Sequence, residues 1–269
     1  MHQDYLSAEK KRRLCSVIVA VSLLAELAGA ILIFVGHSTP GLIIAAAFLA
    51  LQMTTRFIGS RRYTAACADL RVRYGFGMKD AAVPENPKQL KSTIPVFPLL
   101  PTDSQINPPL VLFPEQGHWN GYETLLTEVT FNYQAAHKQR QFLSGTLCVL
   151  NMRCAVPGLM AIYGQPYGGV PLSRWKGMAA VDTGDRGYLL LAREGAEASE
   201  YLMDAFSAFD REKKATAILW TEADRFYAFL PTQFYSGNWT LFKPMPEAAV
   251  SENPLPALSD LPKLARKLQ

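Results

Sequence analysis

The chain is poor in residues that gather metals or run redox chemistry, with four cysteines and four histidines among 269 residues. Cys148 and Cys154 have five residues between them, a spacing that matches no common zinc knuckle or redox pair. Cys15 and Cys67 flank apolar segments, where a cysteine is a small buried hydrophobe or a target for acylation. His118 and His137 have no Cys, Asp or Glu at ligand spacing and read as ordinary surface or core histidines. The glycines of Gly164-Gln-Pro-Tyr-Gly-Gly-Val-Pro are not followed by Lys-Ser/Thr, which excludes a P-loop. No basic stripe interleaved with aromatics is present, so nucleic acid is not an expected partner. No cofactor or metal is expected either.

Charge is missing from one region above all. Leu14 to Val35 carries a single ionisable group, Glu26, and its length of about 22 residues suffices to cross a ~30 Å hydrocarbon core. A second apolar run starts at Gly41, is strictly apolar through Met53 and reaches Ile58 if Arg56 snorkels. Between them lies Gly36-His37-Ser38-Thr39-Pro40-Gly41, without Lys or Arg. The pattern predicts a transmembrane hairpin. A cleaved signal peptide fits less well, because the first run exceeds a usual h-region and a second run follows at once.

The basic residues lie at the far ends of these runs: Lys10, Lys11, Arg12 and Arg13 before, then Arg56, Arg61, Arg62, Arg71 and Arg73 after. Residues 1–73 thus hold nine Lys/Arg against Asp4, Glu9, Glu26 and Asp69, a net of +5, while the whole chain is only +4. The positive-inside rule then places both termini in the cytoplasm, with attraction to anionic lipid headgroups. The lipid bilayer is the first expected partner. Glu26 falls near the middle of the first span, where a central charge costs about 2.5–3.5 kcal/mol. It is expected to be protonated and hydrogen-bonded to the partner helix or to another copy; the alternative is an ion site in an oligomeric transport or channel subunit. Ala25 with Gly29, and Ala46 with Ala50, form small-xxx-small pairs for close helix packing.

Beyond the hairpin (1–60), the spacing predicts a juxtamembrane helix over 61–79, ended by Gly75 and Gly77. Residues 80–117 read as a proline-rich linker, with eight prolines from Pro84 to Pro114 that exclude long helices and central strands. Within it Ile94-Pro-Val-Phe is apolar enough to pack along a domain surface. Residues 118–243 read as a cytoplasmic domain. It opens with a helix from Asn120, whose face is Tyr122, Leu125, Leu126, Val129, Tyr133 and Ala136. Strands follow at Phe142–Met152, Trp175–Val181 and Gly187–Ala192, then a helix at Ser199–Lys213. A hairpin of Thr216–Trp220 and Arg225–Leu230 closes the domain. This order predicts an α+β fold with a mainly antiparallel sheet and two or three helices. Residues 244–269 read as a proline-rich tail, loose from Pro244 to Pro256, whose Leu261–Leu268 is a short basic amphipathic stretch able to touch the bilayer.

Val181-Asp182-Thr183-Gly184 resembles the active-site tripeptide of retroviral-type aspartic proteases. In that family two such carboxylates share a proton and activate a water. Here Asp185 replaces the usual small residue after the Gly, and no second motif or bracing apolar-apolar-Gly segment is evident, so Asp182 would need a homodimer. A hairpin turn explains the same residues. Phe142-Leu-Ser-Gly145, Trp175-Lys-Gly-Met-Ala-Ala-Val181 and the stretch from Tyr201 to Leu230, taken with the two-span start, resemble a family of uncharacterised bacterial membrane proteins with a cytoplasmic domain of unknown function. That resemblance implies a topology and a bacterial cell membrane, and supplies no catalytic residue. The chain is therefore expected to be a membrane-anchored interaction or scaffold protein, more consistent with binding than with enzymatic chemistry. Its partner would be another protein or a second copy, met through aromatics such as Tyr167, Trp175 or Trp239.

Overall fold

The computed structural model describes residues 1–86, 90, 94, 109–134, 140–164, 177–184, 186–193, 195–213, 216–234 and 239–269. Outside them fall His137, Tyr167, Trp175, Asp185, most of the proline-rich segment and the end of the helix expected from Asn120. The chain divides into two compact units. One comprises residues 1–76 with 237–252, and the other residues 77–236 with 253–269.

The first unit is built on two long helices, α1 (His2–Phe34) and α2 (Ser38–Leu70). Both are long and apolar enough to cross a membrane. They pack as an antiparallel hairpin whose seam is made of small residues. A Cβ on Gly29 would lie 2.9 Å from the Gly41 carbonyl oxygen and the Ala45 nitrogen, so only glycine permits this backbone approach. Ala46 and Ala50, expected to form the second seam, are exposed; Gly41 and Ala45 face α1 instead. The register of α2 on α1 is chosen by the tightest approach, and that approach is at Gly41. After Leu70 the helix widens into a π-helical turn, Arg71–Phe76, and Gly77 at φ +95° turns the chain away. The short α4 (Ala248–Ser251) packs on that turn, where a Cβ on Gly75 would strike the Glu252 carbonyl oxygen.

The second unit is an eight-stranded antiparallel sheet. Its strands are β1 (Leu110–Trp119), β2 (Tyr122–Gln134), β3 (Arg140–Asn151), β4 (Leu159–Tyr163), β5 (Met178–Val181), β6 (Tyr188–Arg193), β7 (Ala217–Glu222) and β8 (Arg225–Leu230). The order across the sheet is β1-β2-β3-β8-β7-β4-β6-β5. The β7–β8 hairpin, last in sequence, is inserted between β3 and β4 and joins two groups of three strands. The mixed α+β class with an antiparallel sheet is the class expected from the sequence.

The helix expected from Asn120 is instead the β1–β2 hairpin. Asn120 (φ +50°) and Gly121 (φ +89°) supply the two left-handed residues of a two-residue turn, with Trp119 paired to Tyr122. Beyond it Tyr122, Thr124, Leu126 and Glu128 point to one face while Val129 and Phe131 join the core on the other. With both faces buried, apolar residues at i, i+3 and i+4 satisfy a strand as well as a helix, and Thr124, Thr127, Val129 and Thr130 favour the strand. The linker boundary moves accordingly. Residues 110–117 belong to β1, which accepts Pro114 because it is an edge strand bulged between Leu112 and Glu115. Ala82 also bridges Gln116, exchanging two backbone hydrogen bonds of 2.9 Å. β4 was not legible as a strand because all five residues are buried and show no alternation.

One face of the sheet carries Val129, Phe131, Leu147, Met160, Ile218, Trp220 and Phe229, joined by Ile94 from the proline-rich segment. The other carries α3 (Glu200–Lys213), whose Phe206 and Phe209 pack on Tyr188 and Tyr163 with ring centroids 6.2 and 5.2 Å apart. The two tyrosine hydroxyls donate to α3 carbonyls, Tyr163 to Phe206 at 3.0 Å and Tyr188 to Met203 at 2.7 Å. The stretch from Pro244 to Pro256 is not loose, since Met245, Val250 and Leu255 are buried. Leu261, Leu264, Ala265 and Leu268 of α5 (Leu261–Leu268) are buried, and α5 packs on α3 with Lys267 over the Tyr201 ring. The amphipathic face read as bilayer-seeking is thus spent inside the protein.

Two measurements check this packing. Gly145 of β3 faces the Phe229 ring, where a Cβ would approach ring carbons to 2.5 Å and meet the Leu230 carbonyl. Gly145→Ala should cost about 1–3 kcal/mol by overpacking, read as a lowered unfolding midpoint of the detergent-solubilised chain. The Asp80 carboxylate accepts from the His118 backbone N–H at 2.9 Å and contacts its ring Nδ1 at 2.7 Å, which holds its pKa below the usual carboxylate range. A depressed folded-state pKa stabilises above the unfolded value and is lost as pH falls through the folded one. The protection factor of the His118 amide, its exchange rate corrected for the intrinsic pH dependence, should therefore be steady through neutral pH and fall only below the ordinary carboxylate range, and Asp80→Asn should remove that acid dependence.

Candidate functional site

The densest polar arrangement in the first unit sits at the open end of the hairpin, where the apolar runs give way to basic sequence. Helical spacing puts Arg12 and Arg13 three and four residues after Glu9, and the Glu9 carboxylate takes Arg12 Nε at 2.9 Å and Arg13 Nε at 3.9 Å. Glu9 is 6% exposed. A carboxylate this far from water needs full pairing, and Tyr63 on α2 completes it by donating its hydroxyl to Glu9 Oε1 at 2.8 Å. The same hydroxyl accepts the Met245 backbone N–H at 2.8 Å, and burial pushes the Tyr63 pKa well above its ordinary value. It stays a donor at any physiological pH.

Residues 239–252 form a strap across this end. Arg12 and Ser16 both donate to the Leu241 carbonyl, the serine at 2.7 Å, and Tyr5 donates to the Met245 carbonyl at 2.9 Å. His2 contacts Glu247 at 2.7 Å, and the Arg56 guanidinium lies 5.7 Å from the Phe242 ring centre. Trp239, expected on a free binding face, is half-buried with Arg71 5.0 Å from its ring centre. Arg61 likewise stacks over Phe57 at 4.8 Å. Polar and π contacts of this kind hold guanidinium groups in place at the end of the apolar runs.

Beside the buried cluster lies a cavity of about 320 Å³ between α1 and α2. Ala8, Lys11 and Cys15 line it from one helix, and Gly59, Arg62, Tyr63 and Ala66 from the other, sets that share a face by their spacing of three or four residues. Its walls are mostly apolar, and its charged groups, Lys11, Arg12 and Arg62, are all cationic. Lys11 and Arg62 are exposed and have no ion-pair partner among the described residues. A smaller cavity, about 190 Å³, lies in the sheet unit between Gln116, Asn151, Arg225 and Tyr227.

The residues singled out from sequence are not part of this site. Asp182 is exposed in the turn between β5 and β6, where its Oδ1 accepts the Gly184 N–H at 2.9 Å. Thr183 Oγ1 donates to the Tyr188 carbonyl at 3.1 Å, and Arg186 donates to the Thr183 carbonyl at 3.2 Å. These are turn contacts, and they account for the Asp-Thr-Gly residues without catalysis. Glu26 lies within the hairpin; its Oε1 is buried and makes no hydrogen bond among the described residues, so the expected bond to α2 is not formed by that oxygen. His118 is exposed beside Asp80, Cys67 and Cys148 are buried, Cys15 is half-buried and Cys154 exposed. Burial pushes the Cys148 thiol far above its usual pKa. Among the described residues no three His, Cys, Asp or Glu side chains gather as a metal site.

Sequence reasoning passed over Glu9, Tyr63 and the strap. Glu9 with Arg12 and Arg13 was visible as helical ion-pair spacing, but it entered only the charge count. Tyr63 is 54 residues from Glu9 and Leu241 is 229 from Arg12, and no local pattern announces such contacts.

No family model and no curated protein matches the chain. Among solved structures, the crystal structure of the mycobacterial trehalose monomycolate transport factor A, TtfA, aligns with a TM-score of 0.35 at 12% identity. The alignment covers 61% of this chain and 77% of that one, and at such a score nothing functional is transferred.

The strap contact predicts its own failure. Tyr63→Phe leaves the Met245 N–H without its acceptor and Glu9 with one donor fewer, a loss of about 1–3 kcal/mol. Amide exchange at Met245 and proteolysis within 239–252 should both accelerate, with the β-sheet amides unchanged.

Proposed function

We propose that the chain is a membrane-anchored interaction protein. In this reading α1 and α2 cross the bilayer as a hairpin, both termini are cytoplasmic, and the sheet unit is the module that meets a protein partner. One observation carries it. The antiparallel hairpin brings Lys10–Arg13 and Arg56–Arg62 to the same end, and the opposite end, the turn at 35–37, has no Lys or Arg. A bacterial cell membrane, implied by the family resemblance, belongs to the same proposal. No site among the described residues supports an enzymatic reading in its place. Reporter fusions after residue 60 and at the C-terminus should both register cytoplasm; a signal from the other side at either position overturns the topology.

Glu26, half-buried and the one ionisable group of the first apolar run, favours a second reading, in which two copies pair in the membrane through its carboxyl. A protonated carboxyl can both donate and accept, so identical copies can satisfy each other. Crosslinking in membranes should then give a dimer that Glu26→Gln retains and Glu26→Leu loses. If both variants crosslink like the parent, neither self-association nor an ion-conducting oligomer rests on Glu26.

A further inference from the structure

On the reading that α1 and α2 cross a bilayer, we propose that the cavity at the hairpin base seats one acidic phospholipid of the surrounding leaflet. Its phosphate is held by Lys11 and Arg62, and an acyl chain runs along Leu14 and Gly59. Three features of the cavity support this. First, its volume of about 320 Å³ reaches the range of ligand-binding clefts. Second, its charges are asymmetric. Arg12 is engaged by Glu9 and the Leu241 carbonyl, and Glu9 is ion-paired with Arg12 and Arg13 and accepts the Tyr63 hydroxyl. The carboxylate therefore offers nothing to repel an anion, while Lys11 and Arg62 remain unpaired among the described residues. Third, the walls change character along the helix axes. The cationic pair stands on the basic side of Leu14, where the first apolar run begins, and of Gly59, just past Ile58 where the second one ends. A free phosphate would use the cations and leave the apolar wall in water; a lipid covers both. Basic pockets between spanning helices hold acidic headgroups for the same reason.

The strap contributes by position. Because Leu241 and Met245 bind Arg12 and Tyr63, the two helices are held at a fixed spacing beside the cavity, so the cation pair is preorganised before the lipid arrives.

The test is retention of lipid by the full-length chain. The chain is exchanged into vesicles of equal parts phosphatidylglycerol and phosphatidylcholine, extracted gently, and its bound lipid counted by native mass spectrometry. One phosphatidylglycerol per chain should be kept in preference to phosphatidylcholine. Lys11→Gln/Arg62→Gln should reduce that preference by about fivefold per charge removed, or about 25-fold together. The charge-keeping pair Lys11→Arg/Arg62→Lys should restore it. Lys10→Gln/Arg61→Gln removes the same charge outside the cavity and should leave retention intact. Equal retention of both lipids overturns the site, as does an unchanged preference in the glutamine double variant. Displacement of phosphatidylglycerol by inorganic phosphate assigns the cations to a free anion and overturns the lipid. Resistance to alkaline carbonate extraction is scored in parallel: its loss overturns the spanning reading itself, whereas a lost preference in a carbonate-resistant chain overturns only the lipid site.

Discussion

A buried carboxylate is a liability unless every lone pair is answered, and at Glu9 each answer comes from a different part of the chain. Arg12 and Arg13 come from the next turn of the same helix, the Tyr63 hydroxyl from the second helix, and through that hydroxyl the Met245 amide from the strap. Removing Arg12 or Tyr63 leaves a charge or donor poorly paired out of water, and such groups cost far more than a satisfied pair contributes. Such a cluster adds little net stability over an apolar replacement. What it supplies is uniqueness, since only one register of α1, α2 and the strap satisfies all of its members. The Gly29–Gly41 approach sets the same register from the other end of the hairpin by close contact.

This division of labour explains the base of the hairpin. On the reading that the helices cross a bilayer, apolar packing between them is weak as a specifying force, so small residues and polar anchors carry specificity. The guanidinium groups of Arg56, Arg61 and Arg71 are each parked over an aromatic ring, at Phe242, Phe57 and Trp239. Lys11 and Arg62 are the cations left to face outward beside a cavity, and that contrast makes this the site of interest in the first unit. In the sheet unit, buried aromatics do comparable work: Tyr163 and Tyr188 stack at 5.4 Å and spend their hydroxyls on α3, fixing a helix that hydrophobic contact alone would let slide.

Much of this was legible in the chain. The two apolar runs, the basic residues at their ends and the α+β class followed from composition and periodicity, as did β3, β6, α3, β7 and β8 to within a few residues. The Asp182 turn was readable as turn chemistry, and the protease resemblance needed context that the turn contacts do not provide. The errors had physical causes. β2 mimicked a helix because both of its faces are buried. Asn120-Gly121 is a turn signal and Asn120 equally a helix N-cap, since asparagine serves both roles. Leu261–Leu268 looked bilayer-seeking because a sequence shows that a face is apolar without showing what covers it.

By itself the sequence determined where apolar length and charge lie, because those are sums over neighbouring residues and need no partner. It determined the turns for the same reason: Gly77, Gly121 and Asp182 act within a few residues of themselves. The tertiary structure alone decided that the β7–β8 hairpin enters the middle of the sheet, that the tail divides between two units, and that Glu9 is buried. Each depends on groups far apart in the chain meeting to satisfy a polar or packing demand, and no local pattern records such a meeting. The cavity between Lys11 and Arg62 belongs to this second kind, made by two helix faces that only the fold brings together.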